Sequence, residues 1–470
     1  MLTLTLALEG ITLHGLLVLL GLGVYAAASH STRQRRHPSA AIAWVISLVL
    51  IPYLALPLYL MFGRRKVVGY GRVRALRPAR LAGDGMTPVY QAGQLDTAMG
   101  LPDTATFEEL EIHRDGAHAL QALLGLIAQA RNTIDVCTFL LGRDPVGQEV
   151  STALMRRARE GLQVRLLLDG VGYYMGGYPN TKPLVAAGVQ LLLFVSPLRS
   201  ALRGRTNLRN HRKMAIADGE RLWCGGRNLA AEYFKGLPRH HHKTLPWVDL
   251  TFDLRGPLVQ QALQRFETDW TFALSGKAVN PPSPRAPNQA GQQTGARLVA
   301  SGPDQVDDTF YSLLVSGCFT ARSRILVVTP YFVPDATLLM ALTLAARRGI
   351  AVSLLIPARS NHRLADVARY SALRELAAAG AHIWRTPGML HAKMVLFDED
   401  KVLAGSANLD ERSLFLNYEL MVAFYDRPVV QLFADWFATQ RALARSYDPR
   451  PPGLAREMVE GLVRWVAFQL

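Results

Sequence analysis

Two stretches of this 470-residue chain repeat one arrangement of residues suited to acid–base and phosphate chemistry. The first is His211-Arg212-Lys213, then Asp218, then Gly225-Gly226-Arg227-Asn228. The second is His391-Ala392-Lys393, then Asp398, then Gly405-Ser406-Ala407-Asn408. Both fit H-x-K-x4-D-x6-G-[GS]-x-N. Lysine is scarce: of 52 basic residues 8 are Lys and, by difference, 44 are Arg, yet Lys fills both matching positions.

Two His, two Lys and two Asn supplied in pairs suit a phosphodiester. Such a substrate needs a nucleophile on one side of phosphorus and a proton donor on the other. One imidazole attacks and forms a phosphohistidine. The other protonates the leaving alkoxide and then deprotonates the incoming hydroxyl. Lys213, Lys393, Asn228 and Asn408 would stabilise charge on the non-bridging oxygens, each donor contributing about 3 kcal/mol in a dry site. Each His also needs an acceptor for its second nitrogen. Glu419, in LFLNYEL, and Asp249, in PWVDL, are the candidates. Asp218 and Asp398 are grouped with the catalytic residues, a structural ion-pair role being the alternative. No metal or cofactor is required, and no carboxylate cluster accompanies the motifs. The run His240-His241-His242 is read as an exposed loop, because adjacent side chains rarely point at one metal. Cys137, Cys224 and Cys318 stand far apart in apolar runs and read as buried, reduced thiols.

The elements that must position these residues also come twice. Helical patterning over 115–130 and 148–159 alternates with apolar strands at 133–141, 164–169 and 189–195. This β-α-β order predicts a parallel or mixed sheet covered by helices. ARNTIDVCTFLL (130–141) is matched by ARSRILVVTPYF (321–332), REGLQVRLLLDG (159–170) by RRGIAVSLLIPA (347–358), and LVAAGVQLLLF (184–194) by LAAAGAHIWRT (376–386). The expected fold is thus α/β, with two duplicated halves at 106–274 and 304–448. Residues 67–105 and 275–303 read as linkers, and 449–470 as a C-terminal amphipathic helix that packs on the body or lies on a membrane.

Two apolar runs open the chain, at 11–28 and 40–62, within a membrane segment placed at 1–66. The second, as a helix, would reach roughly 34 Å, enough for a ~30 Å hydrocarbon core, although Pro52 and Pro57 predict a kink or a re-entrant segment. Two transmembrane helices are therefore expected. Arg64, Arg65, Lys66, Arg72, Arg74, Arg77 and Arg80 follow the second run, against Arg33, Arg35 and Arg36 between the runs. The positive-inside rule then puts the catalytic body in the cytoplasm of a multi-pass membrane protein. A net charge of +15 and a pI near 10 imply an anionic partner. From Arg199 to Lys213 there are six basic residues and no acidic one, read as a basic rim for anionic lipid headgroups.

At these residues the chain resembles the phospholipase D superfamily, whose members carry two H-x-K-x4-D motifs. Within it the chain is similar to bacterial cardiolipin synthases, on RNHRK (209–213), TPYFVPD (329–335), HAK (391–393), GSANLDERSLFLNYE (405–419) and the apolar segment ending in LYLMFGRRK. The resemblance implies two phospholipase D-like halves sharing one active site. It implies transfer of a phosphatidyl group between two phosphatidylglycerol molecules, giving cardiolipin and glycerol, at a bacterial inner membrane. His211 would attack and His391 would carry the proton. Arg227, where a small residue is expected, is a departure from the pattern. The alternatives are a phospholipase D-type hydrolase or a transphosphatidylase with another alcohol. A nuclease fits the charge equally well, but the apolar runs place the site beside a bilayer, so no nucleic-acid partner is expected.

Overall fold

The computed structural model describes residues 2–32, 38–63, 66, 95, 96, 98–195, 206–236, 238, 239, 242, 243, 245–276, 295–305 and 307–466. The first half contributes strands β1 Glu108–Ile112, β2 Thr133–Thr138, β3 Gln163–Asp169, β4 Gln190–Phe194, β5 Arg209–Asn210, β6 Met214–Ala217, β7 Arg221–Gly225, β8 Pro238–Arg239, β9 His242–Lys243 and β10 Thr251–Arg255. The second contributes β11 Ala296–Ser301, β12 Arg324–Val328, β13 Phe332–Val333, β14 Ala351–Pro357, β15 His382–Thr386, β16 Met394–Phe397, β17 Lys401–Gly405, β18 Leu409–Asp410, β19 Asn417–Phe424 and β20 Arg445–Ser446.

The main sheets run β1-β10-β7-β6-β2-β3-β4 and β11-β19-β17-β16-β12-β14-β15-β20. Their first seven positions correspond strand for strand, which establishes the duplication. The strands that alternate with helices pair in parallel. Those carrying the motifs pair antiparallel. Parallel strands need both faces covered, and β2 and β14 are accordingly almost wholly buried. Their connecting helices start where the sequence supplies a cap. Asp115 accepts from His118 N, and Asp144 accepts from Val146 N and Gly147 N ahead of Pro145. Each sheet packs its outer face on its own helices. The inner faces share one core, in which Phe252 of β10 meets Phe424 of β19 with ring centroids 5.5 Å apart.

Both expected linkers are shorter than the composition implied. Residues 67–94 and 277–294 lie outside the described residues. Asp96, however, is buried against Arg297 and Tyr425, and Leu101 packs on the second core. Residues 296–301 form β11, hydrogen-bonded along β19. Gly- and Gln-rich flanks masked this strand. The helix Leu454–Val466 packs on the body: Glu460 pairs with Arg374 and Arg456, while Leu454, Met458 and Val459 stay exposed.

The N-terminal segment forms three helices, Leu2–Thr32, Pro38–Leu50 and Pro52–Phe62. The second apolar run is thus not one helix. Pro52 starts a new one, with Ile51 at φ −137°, ψ 61°. Helices of 13 and 11 residues reach roughly 20 and 17 Å, short of a ~30 Å core. Among the described residues no helix is long and apolar enough to cross a membrane, so the two expected spans are not shown. The side chains described in the first helix run only from 13 to 28. Lys66, just beyond the third helix, ties this segment to the body through Asp308 (2.7 Å) and the carbonyls of Gly302 and Gln305.

Candidate active site

Each motif histidine is held by the opposite half. Strand β5 pairs in parallel with β19, and His211 N donates to Tyr418 O at 2.9 Å. The counterpart is a parallel bridge of Leu390 to Val248, with His391 N donating to Val248 O at 2.6 Å. The next residue in each case is a carboxylate. Glu419 Oε1 lies 3.0 Å from His211 Nδ1, and Asp249 Oδ2 lies 2.8 Å from His391 Nδ1. The two acids picked from the sequence are therefore both present and crossed between halves. With Nδ1–H given to a carboxylate, Nε2 of each ring keeps its lone pair for phosphorus or for a proton.

The lysines sit two residues on, just ahead of β6 and β16. Lys213 Nζ donates to His211 O at 2.6 Å, and Lys393 Nζ lies 3.0 Å from His391 Nε2. Aromatic rings close the site: Phe139 is 5.2 Å from His211, and Tyr233 and Trp247 are 5.0 and 5.6 Å from His391. None of these three carried a signal in the sequence.

Burial sets the protonation states. It lowers His211 to about 4, against the pull of Glu419, and His391 to about 3, with Lys393 adding to the shift. It also lowers Lys213 to about 7 and Lys393 to about 8, opposed by Glu419 and Asp249. Burial pushes both carboxyls up, but the adjacent lysines and imidazoles hold them below the usual range. The centre thus pairs two neutral rings with two marginally protonated lysines and two charged carboxylates. The sign of the pH effect follows. Depressed lysine pKa values mean the cationic form is lost as pH rises, so kcat/KM should fall above about pH 7 to 8 rather than near 10. A profile flat to pH 9.5 would contradict this, and Lys213→Arg should move the limb upward.

The glycine motif has a local cause. A Cβ on Gly226 would stand 2.1 Å from Asp249 Oδ1, so the carboxylate that orients His391 occupies that space. At the matching position Ser406 donates its hydroxyl to Glu419 Oε2. G-[GS] is thus the seat of the two acids. Gly226→Ala should displace Asp249 and lower kcat about 10- to 100-fold, measured beside a thermal melt to confirm folding. Arg227, buried, donates to Thr251 Oγ1 (2.7 Å) and Tyr233 O and adds a cation near Asp249, where the second half has Ala407. Arg212 is fully buried and staples the halves through Asp269, Asp304 and Glu419 O, where the second half has Ala392. Both motif asparagines are buried with Oδ1 unpaired, and Asn228 Nδ2 donates to Tyr233 OH at 2.7 Å. Such groups are satisfied when a ligand closes on them.

The motif aspartates do not join this centre. Five residues along a strand from each lysine is roughly 17 Å. Asp218 instead accepts from the backbone N–H groups of Arg131, Asn132 and Thr133, and Asp398 from those of Arg322, Ser323 and Arg324. Both sit at positive φ, 56° and 55°, which Asp tolerates better than most residues. The fixed Asp therefore caps the start of the central strand, β2 or β12, and the catalytic role expected from sequence is corrected. Nor is it mainly an ion pair, since the partners are amides. Asp218→Asn and Asp398→Asn should each cost about 1–3 kcal/mol of stability, while kcat per folded molecule stays within about twofold. A kcat loss without a stability loss would return them to the chemistry.

Among the described residues no group of three or more His, Cys, Asp or Glu is placed to hold a metal. Of the triple-His run only His242 is described, in the short hairpin β8–β9. Residues 196–205, with three of the six basic residues of the rim, lie outside the described residues. The three cysteines are free and buried.

Residues 123–270 and 319–441 match the family described as "Cardiolipin synthase, PLD-like domain", and 21–64 match "Phospholipase_D-nuclease N-terminal". Cardiolipin synthase A of Pseudomonas aeruginosa is 34% identical over 429 residues, covering 87% of this chain and 86% of that protein. That of Pseudomonas putida (strain W619) is 31% identical over 454 residues, covering 93% and 92%. Among solved structures, phosphatidylserine synthase of Haemophilus influenzae aligns with a TM-score of 0.59 at 15% identity, over 82% of this chain and all of that one, a likeness of fold. The crossed His–carboxylate pairs lie within the matched segments, and the chain belongs to the cardiolipin synthase family of the phospholipase D superfamily.

Proposed function

We propose that this site moves a phosphatidyl group from one phosphatidylglycerol to the free headgroup hydroxyl of a second. His211 Nε2 attacks phosphorus and an N–P bond forms as the P–O bond to glycerol breaks. His391, carrying a second proton on Nε2 that the bound anionic phosphodiester favours against burial, gives it to the leaving alkoxide, so glycerol departs neutral. The same ring then takes the proton of the acceptor hydroxyl, the new O–P bond forms, and the N–P bond breaks. One phosphodiester is exchanged for another, so no outside energy source enters. Lys213 and Lys393 face the charge on the non-bridging oxygens. The observation that carries this reading is the pair of imidazoles, each bonded through Nδ1 to a buried carboxylate of the opposite half.

A lipid substrate accords with the first 62 residues. Leu16, Leu19, Ile42, Ile46, Leu50, Tyr53 and Leu54 are all more than half exposed there. A surface of that size and apolarity needs a bilayer or a partner to cover it. We assign it to the bacterial inner membrane, with the body on the cytoplasmic, Arg-rich side.

The test is full-length protein in detergent with labelled phosphatidylglycerol and a metal chelator. Labelled cardiolipin and stoichiometric free glycerol are expected. Phosphatidic acid without cardiolipin would make the enzyme a hydrolase, with water as acceptor. Transfer only to added ethanolamine or another alcohol would make it a different transphosphatidylase.

A further inference from the structure

The two halves of the site are not equivalent in charge. Two residues before His211 stands Arg209; two before His391 stands Met389. Four residues after Asn408 stands Arg412; four after Asn228 stands Glu232. The duplication has therefore placed two cations at positions whose counterparts in the other half carry none. The two arginines meet across the halves. Arg412 donates from Nη1 to Asn207 Oδ1 (3.0 Å) and from Nη2 to Asn207 O (2.9 Å), while Arg209 donates to the carbonyls of Leu208 (2.6 Å) and Thr206. Both thus grip one turn, residues 206–208, and face each other as like charges.

Among the described residues neither arginine has a carboxylate within ion-pair distance. Asp169 and Asp410 act on the pair through space but take their hydrogen bonds elsewhere. Asp169 accepts from Val171 N, Gly172 N and Asn210 N, and Asp410 accepts from Ser413 N. Held by neutral carbonyls, each guanidinium keeps its charge and the N–H groups those bonds leave over for an anion. Arg209 and His211 lie two apart along an extended segment, so their Cα atoms stand about 6.6 Å apart, and Arg412 reaches the turn just before them from the second half.

The chemistry supplies an anion at that spacing. In the transfer step two phosphates occupy the cleft together, one at the histidines and one in the acceptor. A three-carbon glycerol bridge, six bonds from phosphorus to phosphorus, separates them by at most roughly 7.5 Å, from bond lengths near 1.5 Å. We propose that Arg209 and Arg412 form a second phosphate subsite, which holds the acceptor lipid's own phosphodiester while its free hydroxyl reaches the reaction centre. This rests on the phosphatidyl-transfer reading above. It also supplies what separates a synthase from a hydrolase: water and free glycerol carry no phosphate and gain nothing from the subsite.

The test compares two rates in the same full-length preparation: cardiolipin formed from phosphatidylglycerol, and labelled free glycerol exchanged into phosphatidylglycerol. Misfolding lowers both rates, so their ratio is the readout. In Arg412→Gln and in Arg209→Gln the ratio of cardiolipin formation to exchange should fall about tenfold or more, with the acceptor KM raised, and Arg412→Lys should recover part of it. Glycerophosphoglycerol, the deacylated acceptor, should inhibit cardiolipin formation in wild type and lose that effect in Arg412→Gln. An unchanged ratio in both variants would overturn the subsite. So would inorganic phosphate competing as well as glycerophosphoglycerol, which would make it a site for free phosphate. Wild-type protein that exchanges glycerol but makes no cardiolipin would instead overturn the reading of the reaction itself.

Discussion

Alanine at His211 or at His391 is expected to lower kcat for cardiolipin formation by about 10^4-fold or more, and the double replacement to cost little beyond either single one. The reason is the shared cleft. Each half supplies one ring, and neither half of the reaction runs without both a nucleophile and a proton carrier. Rings that act as a unit give losses that do not add. The structure makes this a test of the composite site, because His211 N is bonded to the second half and His391 N to the first. Steady-state rates with labelled phosphatidylglycerol, beside matched thermal melts, measure it. A residual rate near about 10% in either single variant, with the fold intact, would mean that ring stands outside the chemistry.

Asp249→Asn and Glu419→Gln should each lower kcat by about 10^2- to 10^4-fold, although neither touches phosphorus. Both carboxylates are fully buried, and each fixes the tautomer of a ring contributed by the other half. An amide of the same shape can present its NH2 group, which turns the ring over or leaves Nδ1 unpaired. Removing the charge also takes away what opposes burial at the ring, so the imidazole pKa falls further and its proton-carrying form becomes rarer. The two losses should be of similar size, since the geometry is nearly twofold. If Glu419→Gln is silent while Asp249→Asn is not, only one ring needs its partner and the symmetric account fails.

The duplicated motif made most of this site legible before any coordinates. Its spacing placed His, Lys and Asn at the ends of matching strands, and each candidate acid followed its motif within about 30 residues as a carboxylate in an apolar run. Which acid serves which ring was not legible. The crossing arises from β5 pairing with β19 and Leu390 with Val248, contacts between segments nearly 150 or more residues apart that no local pattern encodes. Asp218 and Asp398 misled for a related reason. A fixed Asp in a catalytic motif reads as catalytic, yet its spacing is set by a turn at positive φ and three amides at a strand start. β11 was hidden because its flanks are rich in Gly, Pro and Gln. The break at Pro52 was foreseen from proline chemistry, while its consequence, two short helices in place of one span, depended on packing within the N-terminal segment.

The central claim is that one imidazole carries the phosphatidyl group between the two alcohols. The stereochemical course at phosphorus tests it most directly, with phosphatidylglycerol made chiral by sulfur and oxygen isotopes at the reacting phosphodiester. Two in-line displacements, onto His and then off it, predict overall retention of configuration in the product. Inversion would mean that the acceptor hydroxyl attacks the donor lipid in a single step, and that the paired histidines serve only to move protons.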